Sequence, residues 1–112
     1  MTVQDYEIDD VLRMDFTVQD PSDGSITDAD SLPTVQIFED GGTSPIRTPT
    51  PAKRDTGTTG QYTFSETLSA ANGYEVGKTY VVYALATVTV AGGAVLAQFR
   101  IKATSPVIVY VG

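Results

Sequence analysis

The sequence predicts an all-β domain folded as a β-sandwich of about seven strands, with a small closed β-barrel as the alternative. Clusters of Gly, Pro, Asp and Ser recur at short intervals along the 112 residues. The segments between them are rich in Val, Ile, Thr, Tyr and Phe, which is typical of strands, and helical periodicity is nearly absent. The length is that of one domain, and we expect residues 1–103 to form it.

The first sixty residues contain two segments in which apolar and polar side chains alternate. Residues 11–19 do so strictly, which predicts a strand with one core face and one wet face. Residues 34–39 predict a shorter strand, and residues 3–8 predict an edge strand. Any strand within residues 43–60 should also lie at a sheet edge, because their prolines cannot donate ladder hydrogen bonds.

The second half of the chain predicts three further strands. Residues 61–68 alternate, and their core face includes Glu66. Residues 78–90 form the longest predicted strand, whose two largely apolar faces favour a central strand or one whose outer face meets a partner. The glycines of residues 91–94 predict the hairpin turn before the last strand. The residues that we expect to be mostly buried are Met14, Phe16, Val35, Ile37, Tyr62, Phe64, Tyr80, Val82, Ala84, Phe99 and Ile101.

Charge is distributed unevenly along the chain. Residues 1–40 hold eleven acids and one base, a net charge of −10, whereas residues 41–112 hold six bases and three acids, a net charge of +3. An acidic surface repels phosphate backbones, so we expect no nucleic-acid partner. The asymmetry has two interpretations: acids that keep the N-terminal loops solvated, or an acidic edge that packs against the basic edge of another copy.

Catalysis and cofactor binding are not predicted. The chain has no His and no Cys, which excludes the usual catalytic triads and thiolate metal sites. A hydrolase pair of carboxylates could be formed by Glu39 and Glu66, but nothing marks them beyond their identity. The four aspartates of residues 20–30 could supply calcium ligands, yet their spacing departs from the EF-hand pattern and Asp and Gly are also the usual turn residues. We therefore expect no enzyme activity, no metal and no cofactor.

The tyrosines leave a second binding function open. Tyr62 and Tyr80 fall on predicted core faces, whereas Tyr74, Tyr83 and Tyr110 are expected at the surface. Exposed rings beside polar groups are what a sugar-binding site needs. A carbohydrate-binding or adhesion module is therefore the alternative function, and it would be a monomer with measurable saccharide affinity.

Neither an export signal nor a membrane span is predicted. The first five residues lack the basic and apolar regions of a signal peptide. No apolar run approaches the roughly 18 residues of a membrane helix. We therefore expect synthesis in the cytoplasm and no membrane partner.

Residues 104–112 are predicted to form an apolar arm or an extra strand. Pro106 stops the preceding hairpin strand from running straight on. The five β-formers that follow offer apolar side chains to both faces, whereas an exposed edge strand would normally show a polar one. They either pair within the domain or add to the sheet of a neighbour. The predicted subunit-contact residues are Val107, Ile108, Val109, Tyr110 and Val111.

Two short motifs carry a family resemblance. The strand Gly60-Gln61-Tyr62-Thr63-Phe64 precedes the strand Gly77-Lys78-Thr79-Tyr80-Val81-Val82-Tyr83-Ala84, and a hairpin then leads into Phe99. This order resembles bacterial and phage immunoglobulin-like domains, in which a G-x-Y strand precedes a G-x-T-Y-x-V-x-A strand. The resemblance spans roughly residues 10–103 and implies an immunoglobulin-like sandwich.

Domains of that family occur in adhesins, in carbohydrate-active enzymes and as short separate proteins of phage structural gene clusters. A one-domain chain with its own methionine and no export signal is most similar to the phage proteins. The resemblance therefore implies a virion structural protein that decorates a capsid, with a tail accessory protein as an alternative. The implied partners are other copies of the chain, as a homo-oligomer, and a virion protein such as the major capsid protein.

Overall fold

The computed structural model describes residues 3–54, 59–89 and 91–102. Within them no α-helix occurs, and no helix is long and apolar enough to cross a membrane. A 3-10 helix covers Ala70–Asn72 and is capped by the Ser69 side chain. The strands are β1 (Val3–Tyr6), β2 (Val11–Thr17), β3 (Thr34–Glu39), β4 (Ala52–Lys53), β5 (Gln61–Thr67), β6 (Thr79–Val88) and β7 (Ala91–Ile101).

The strands form two sheets that pack face to face. One sheet has the order β1-β7-β6-β3 and the other has the order β2-β5-β4. The pairing of β1 with β7 is parallel, and the other pairings between these strands are antiparallel. The all-β, two-sheet prediction is confirmed, and the closed-barrel alternative is wrong because the strands divide into two separate sheets.

The core lies between the sheets and follows the predicted alternation. Leu12 lies on β2, Phe64 lies on β5 and Leu68 directly follows β5. The residues that face them come from β3, β6 and β7. Of the residues expected to be buried, Met14 and Phe16 are only half-buried, because the sandwich does not close over the inner face of β2. The others are buried as predicted: Val35, Ile37, Tyr62, Phe64, Tyr80, Val82, Ala84, Phe99 and Ile101.

The edge predictions hold where the structure describes them. β1 lies at the edge of its sheet, and the proline-rich segment contributes only the two-residue edge strand β4. The long strand β6 lies between β3 and β7, in agreement with its two apolar faces.

The β6–β7 turn is not where the glycines predicted it. Val88 pairs with Ala91, so the chain reverses between them, and the predicted turn residues 91–94 lie within β7. Thr89 adopts a positive φ of 47°, which is uncommon for a β-branched residue, and its N–H donates to Asp30 Oδ1 at 3.0 Å. A distant side chain therefore supports the turn.

Most bases of the C-terminal segment pair with acids of the N-terminal segment inside the domain. Five of the six bases in residues 41–112 lie within 4 Å of an acid from residues 1–40. These ion pairs join sequence-distant elements, so the basic and acidic segments pack against each other within one chain. The pairs are Lys53–Asp28, Arg54–Asp15, Lys78–Glu39, Arg100–Asp5 and Lys102–Glu7.

Candidate interaction groove

Two strand edges face each other along one side of the sandwich. β2 is the outer strand of its sheet. β7 has β6 on one side, but on the other side β1 pairs only with residues 98–101. Within the described part of the chain, no strand covers that second side of β7 along residues 91–97. We call the space between β2 and this part of β7 the open groove.

The hydrogen-bond pattern of β7 determines which backbone groups face the open groove. Ile101 donates its N–H to Lys78, directly before β6, whereas Lys102 donates to the Tyr6 carbonyl of β1. Odd-numbered residues of β7 therefore bond to β6, and even-numbered residues face the opposite way. The N–H and C=O groups that face the open groove are those of Gly92, Ala94 and Leu96.

The lining of the open groove is mostly apolar, with Gln4, Arg13, Asp15, Gln19 and Gln98 as its larger polar members. The groove consists of two adjoining hollows of about 200 and 310 Å³, and Phe16, Ala84 and Val95 line both. A water molecule in the liquid occupies about 30 Å³, so each hollow holds several waters against apolar side chains. Val95 points into the groove and is 51% exposed. The other apolar lining residues include Met14, Phe64, Val82, Ala97, Val18, Ala86 and Val88.

The upper part of β7 lacks the usual protection of a sheet edge. Residues 91–97 read Ala-Gly-Gly-Ala-Val-Leu-Ala, with no charge and no proline. Exposed edges normally carry charges, proline or a bulge that prevents pairing with another chain. β2 has Arg13 and Asp15, and the outer edge of β3 is bonded by Ile37 to the segment at Arg47. Among these described edges, residues 91–97 therefore form the one most suited to accepting a strand.

The two sheets differ in their outer faces. The outer face of the β2-β5-β4 sheet is polar and includes Arg13, Asp15, Thr63, Ser65 and Thr67. The outer face of the other sheet is more apolar: Phe38, Val81, Tyr83, Leu85 and Leu96 lie there beside Gln36, Gln98 and Arg100, and Leu96 is 46% exposed. A strand added beside β7 would therefore meet apolar side chains on both of its faces.

A buried ionic network closes the opposite side of the sandwich. Glu66 lies on the core face of β5 and is 4% exposed. Arg47 Nε and Nη2 donate to its two carboxylate oxygens at 3.0 and 3.2 Å, and the Tyr74 hydroxyl donates to Oε2 at 3.1 Å. Backbone hydrogen bonds with Ile37 hold Arg47 beside β3. The buried carboxylate is thus fully engaged, as a buried charge must be.

The network changes the acid–base behaviour of its members. Burial raises the pKa of Tyr74 well above its usual value, and the neighbouring Glu66 carboxylate raises it further. Hydrogen bonding to Glu66 raises the pKa of Arg47. At neutral pH Tyr74 is therefore a neutral donor and Arg47 a cation, an arrangement that suits a structural link between the sheets.

The other candidate carboxylates are engaged separately. Glu39 pairs with Lys78 at 2.9 Å, so Glu39 and Glu66 bind different cations. No group of three or more acidic side chains within the described residues is arranged to hold a metal ion. The aspartates of residues 20–30 accept hydrogen bonds at four different places, Asp20 from Ser22, Asp23 from Ser25, Asp28 from Gly60 and Lys53, and Asp30 from Thr89.

The tyrosines do not form the expected surface set. Tyr74, predicted at the surface, is 1% exposed. The prediction is wrong because its ring packs edge-on against Tyr80, with centroids 5.0 Å apart, and its hydroxyl binds Glu66. Tyr83 is half-buried on the apolar outer face. None of the five described tyrosines presents a fully exposed ring.

The predicted contact residues Val107, Ile108, Val109, Tyr110 and Val111 lie outside the described residues, as does the boundary of the predicted domain at residue 103. The open groove and the Glu66 network were not predicted. The uncharged composition of residues 91–97 was the available signal for the groove.

Comparison with protein-family models, curated proteins and solved structures finds no match for this chain.

Proposed function

We propose that this protein is a non-enzymatic structural protein of a bacteriophage virion. It decorates and stabilises the capsid through protein–protein contacts made by sheet edges and by the C-terminal arm, which we define as residues 107–111. The observation that carries the contact mechanism is the open groove, because it combines unpaired backbone groups with an apolar floor. Such an edge is used for β-strand addition in protein recognition.

The strand arrangement supports an immunoglobulin-like fold as part of this proposal. The chain crosses between the sheets after β1, β2, β3 and β5, whereas β4–β5 and β6–β7 pair within one sheet, and the first strand runs parallel to the last. A short first strand beside the last strand, and a hairpin of the two longest strands, are compatible with a sandwich of the immunoglobulin type. The family implied by the sequence motifs and the topology of the strands thus point the same way.

The proposed partners are other copies of the chain and a virion protein such as the major capsid protein. Both would be bound by apolar and backbone contacts, since most ionic groups of the domain pair internally. The proposed location is the virion, after synthesis in the host cytoplasm.

The location can be measured directly. Particles from a lysate of the host that carries this gene are purified on a density gradient, and the chain is quantified against the major capsid protein. We expect a fixed ratio between the two across independent preparations. Particles that lack the chain, from lysates that contain it, would contradict the proposal. Copurification with isolated tails would instead assign it to the tail.

A glycan-binding measurement on the same protein distinguishes the alternative class. A saccharide that binds the monomer, and whose binding no virion protein competes with, would favour a carbohydrate-binding module. We expect no saccharide-dependent change in the melting temperature, since ligand binding to the folded state would raise it.

A further inference from the structure

We propose that the open groove binds the C-terminal arm of a second copy of this chain, as an added strand beside residues 91–97 of β7. This inference rests on the proposed function and names the acceptor surface for its arm. The groove offers the backbone groups of Gly92, Ala94 and Leu96 and an apolar floor. Strand addition satisfies such backbone groups while alternate side chains enter the floor.

The arm and the acceptor edge have the same length. The edge that no strand of the described residues pairs with runs from Gly92 to Leu96, five residues, and the arm of residues 107–111 also has five. At about 3.3 Å per residue, both span roughly 16 Å. Gly92 and Gly93 leave the edge uncrowded, since the space where a Cβ would stand has nothing within 4 Å at either position. Glycine in a strand often marks the close approach of another backbone.

The arm has apolar side chains on both faces, and the surfaces that both faces would contact beside β7 also contain apolar side chains. In a strand beside β7, Val107, Val109 and Val111 would share one face, and Ile108 and Tyr110 the other. One face would enter the hollows at Phe16, Ala84 and Val95, and the other would extend the apolar outer face at Leu96. An arm with a polar face would fit a sheet whose outer face is polar, such as β2-β5-β4. The uniformly apolar arm fits the sheet of β7.

The arm of the same chain cannot pair along the whole of residues 92–96. Val107 follows Lys102 by five residues, which extend over at most about 18 Å. To pair with Leu96, the chain must return past six residues of β7, about 20 Å at ~3.3 Å per residue. β1 already occupies that side of β7 along residues 98–101. Pairing along the whole of this edge therefore requires the arm of another copy, either reciprocally in a two-fold dimer or successively in an open chain.

A complementation experiment on the full chain tests this inference. Val95→Glu places a charge in the groove, at a side chain that is 51% exposed in the single domain. The double variant Ile108→Asp/Val109→Asp places one negative charge on each face of the arm. Each variant alone should be a monomer by native mass spectrometry and sedimentation, whereas the wild-type chain associates. The charge should weaken association on the order of a hundredfold, because it would be buried without a partner.

Mixing the two variants gives the decisive result. The arm-intact Val95→Glu chain can donate but not accept, and the arm variant can accept but not donate. The mixture should therefore form a 1:1 dimer and no larger species. A mixture that stays monomeric, or a wild-type chain that is monomeric at every concentration, overturns the inference.

Matched controls separate specific effects from loss of folding. Val76→Glu introduces the same charge at a side chain that is 46% exposed and outside the groove, and Thr104→Asp/Ser105→Asp adds the same charges before the arm. Both controls should associate as the wild type does. If Val95→Glu lowers the melting temperature, Ala94→Pro replaces it, because its lost N–H faces the groove and not β6. It should block association while leaving the β6–β7 ladder intact.

Particle binding distinguishes failure of the inference from failure of the proposed function. If Val95→Glu still occupies particles at the wild-type level while the arm variant does not, the arm binds a capsid protein and not a second copy. The inference then fails and the proposed function stands. If the mixture dimerises but no variant or wild-type chain is found on particles, the inference stands and the virion function fails.

Discussion

The two sides of the sandwich are closed in different ways. On the side of β3 and β5, Arg47 crosses to the buried Glu66 and joins the sheets with two hydrogen bonds, with Tyr74 adding a third. On the side of β2 and β7, no strand of the described residues covers the open groove. Met14 and Phe16 therefore stay half-buried. The side of β3 and β5 is thus closed by side chains of the domain. The side of β2 and β7 has mostly apolar side chains, as a core does, but they remain accessible to solvent.

The difference shows how stability and binding are divided within one small core. A buried charge requires all its partners in place, so the Glu66 side tolerates little change. The groove side keeps apolar side chains against water, which costs stability in the isolated domain and becomes favourable when a strand covers them.

The largest expected contrast is between two phenylalanines of similar packing chemistry. Phe99 is fully buried under β1, where Tyr6 packs edge-on against it at 5.9 Å, whereas Phe16 lines the open groove. In urea denaturation of the arm variant, Phe99→Ala should cost about 3–5 kcal/mol. Phe16→Ala should cost roughly 1–2 kcal/mol, because its ring is only partly removed from water. Equal costs would show that the groove is closed in solution.

A smaller effect is expected at the ionic network. Tyr74→Phe removes a hydrogen bond to a buried carboxylate and should cost about 1.5–3 kcal/mol at pH 7. Because the folded-state pKa of Tyr74 is raised, its contribution is complete below the ordinary value of 10 and is lost as the pH rises above it. The gap between wild type and variant should therefore narrow above pH 10. Tyr83→Phe, on the outer face, is the control and should change stability by less than about 0.5 kcal/mol.

Adding one methylene group tests the packing of the two sides at finer scale. Val88→Ile extends into a hollow of the open groove and should stabilise by up to about 0.8 kcal/mol, the value of one buried CH₂. Val35→Ile adds the same group where the side chain is 2% exposed and should cost about 1 kcal/mol through overpacking. Thermal melts of both variants check the signs, and a destabilised Val88→Ile would mean that the hollow is already filled.

The smallest expected effect lies at the end of the sandwich. The Asp28 carboxylate accepts from Lys53 and from the Gly60 N–H, and the Lys53 hydrogen bond lowers the pKa of Asp28. Its contribution is therefore present above its usual pKa of 3.8 and is lost as the pH falls below that value. Asp28→Asn should be less stable than wild type at pH 7, and the difference should disappear near pH 3. Asp40→Asn, at an exposed turn, should show no such pH-dependent gap.

Local alternation predicted most of the fold. The strand at Val35 and Ile37 and the core phase of Phe99 followed from period two alone. The turn was missed because a reversal between Val88 and Ala91 and a turn at residues 91–94 both keep the same β7 residues facing inward, so alternation cannot distinguish them. The deciding contact comes from Asp30, far away in sequence.

The candidate site was less predictable. Glu66 was placed on the core face by alternation, but its partner Arg47 lies in a segment without periodicity, and Tyr74 lies in the connection between the 3-10 helix and β6. The open groove depends on where β1 ends against β7, which is a matter of tertiary register. The sequence showed an uncharged segment at residues 91–97, but not that no strand of the described residues covers this edge.

The parallel pairing of β1 and β7 has a mechanical consequence. β1 runs from beside Gln98 to beside Ile101, so a pull on the two ends of the domain drives these strands in opposite directions along their length. All of their hydrogen bonds, and the double Arg100–Asp5 contact, are then strained together in shear instead of opening one after another. A domain clamped in this way resists stretching at its ends.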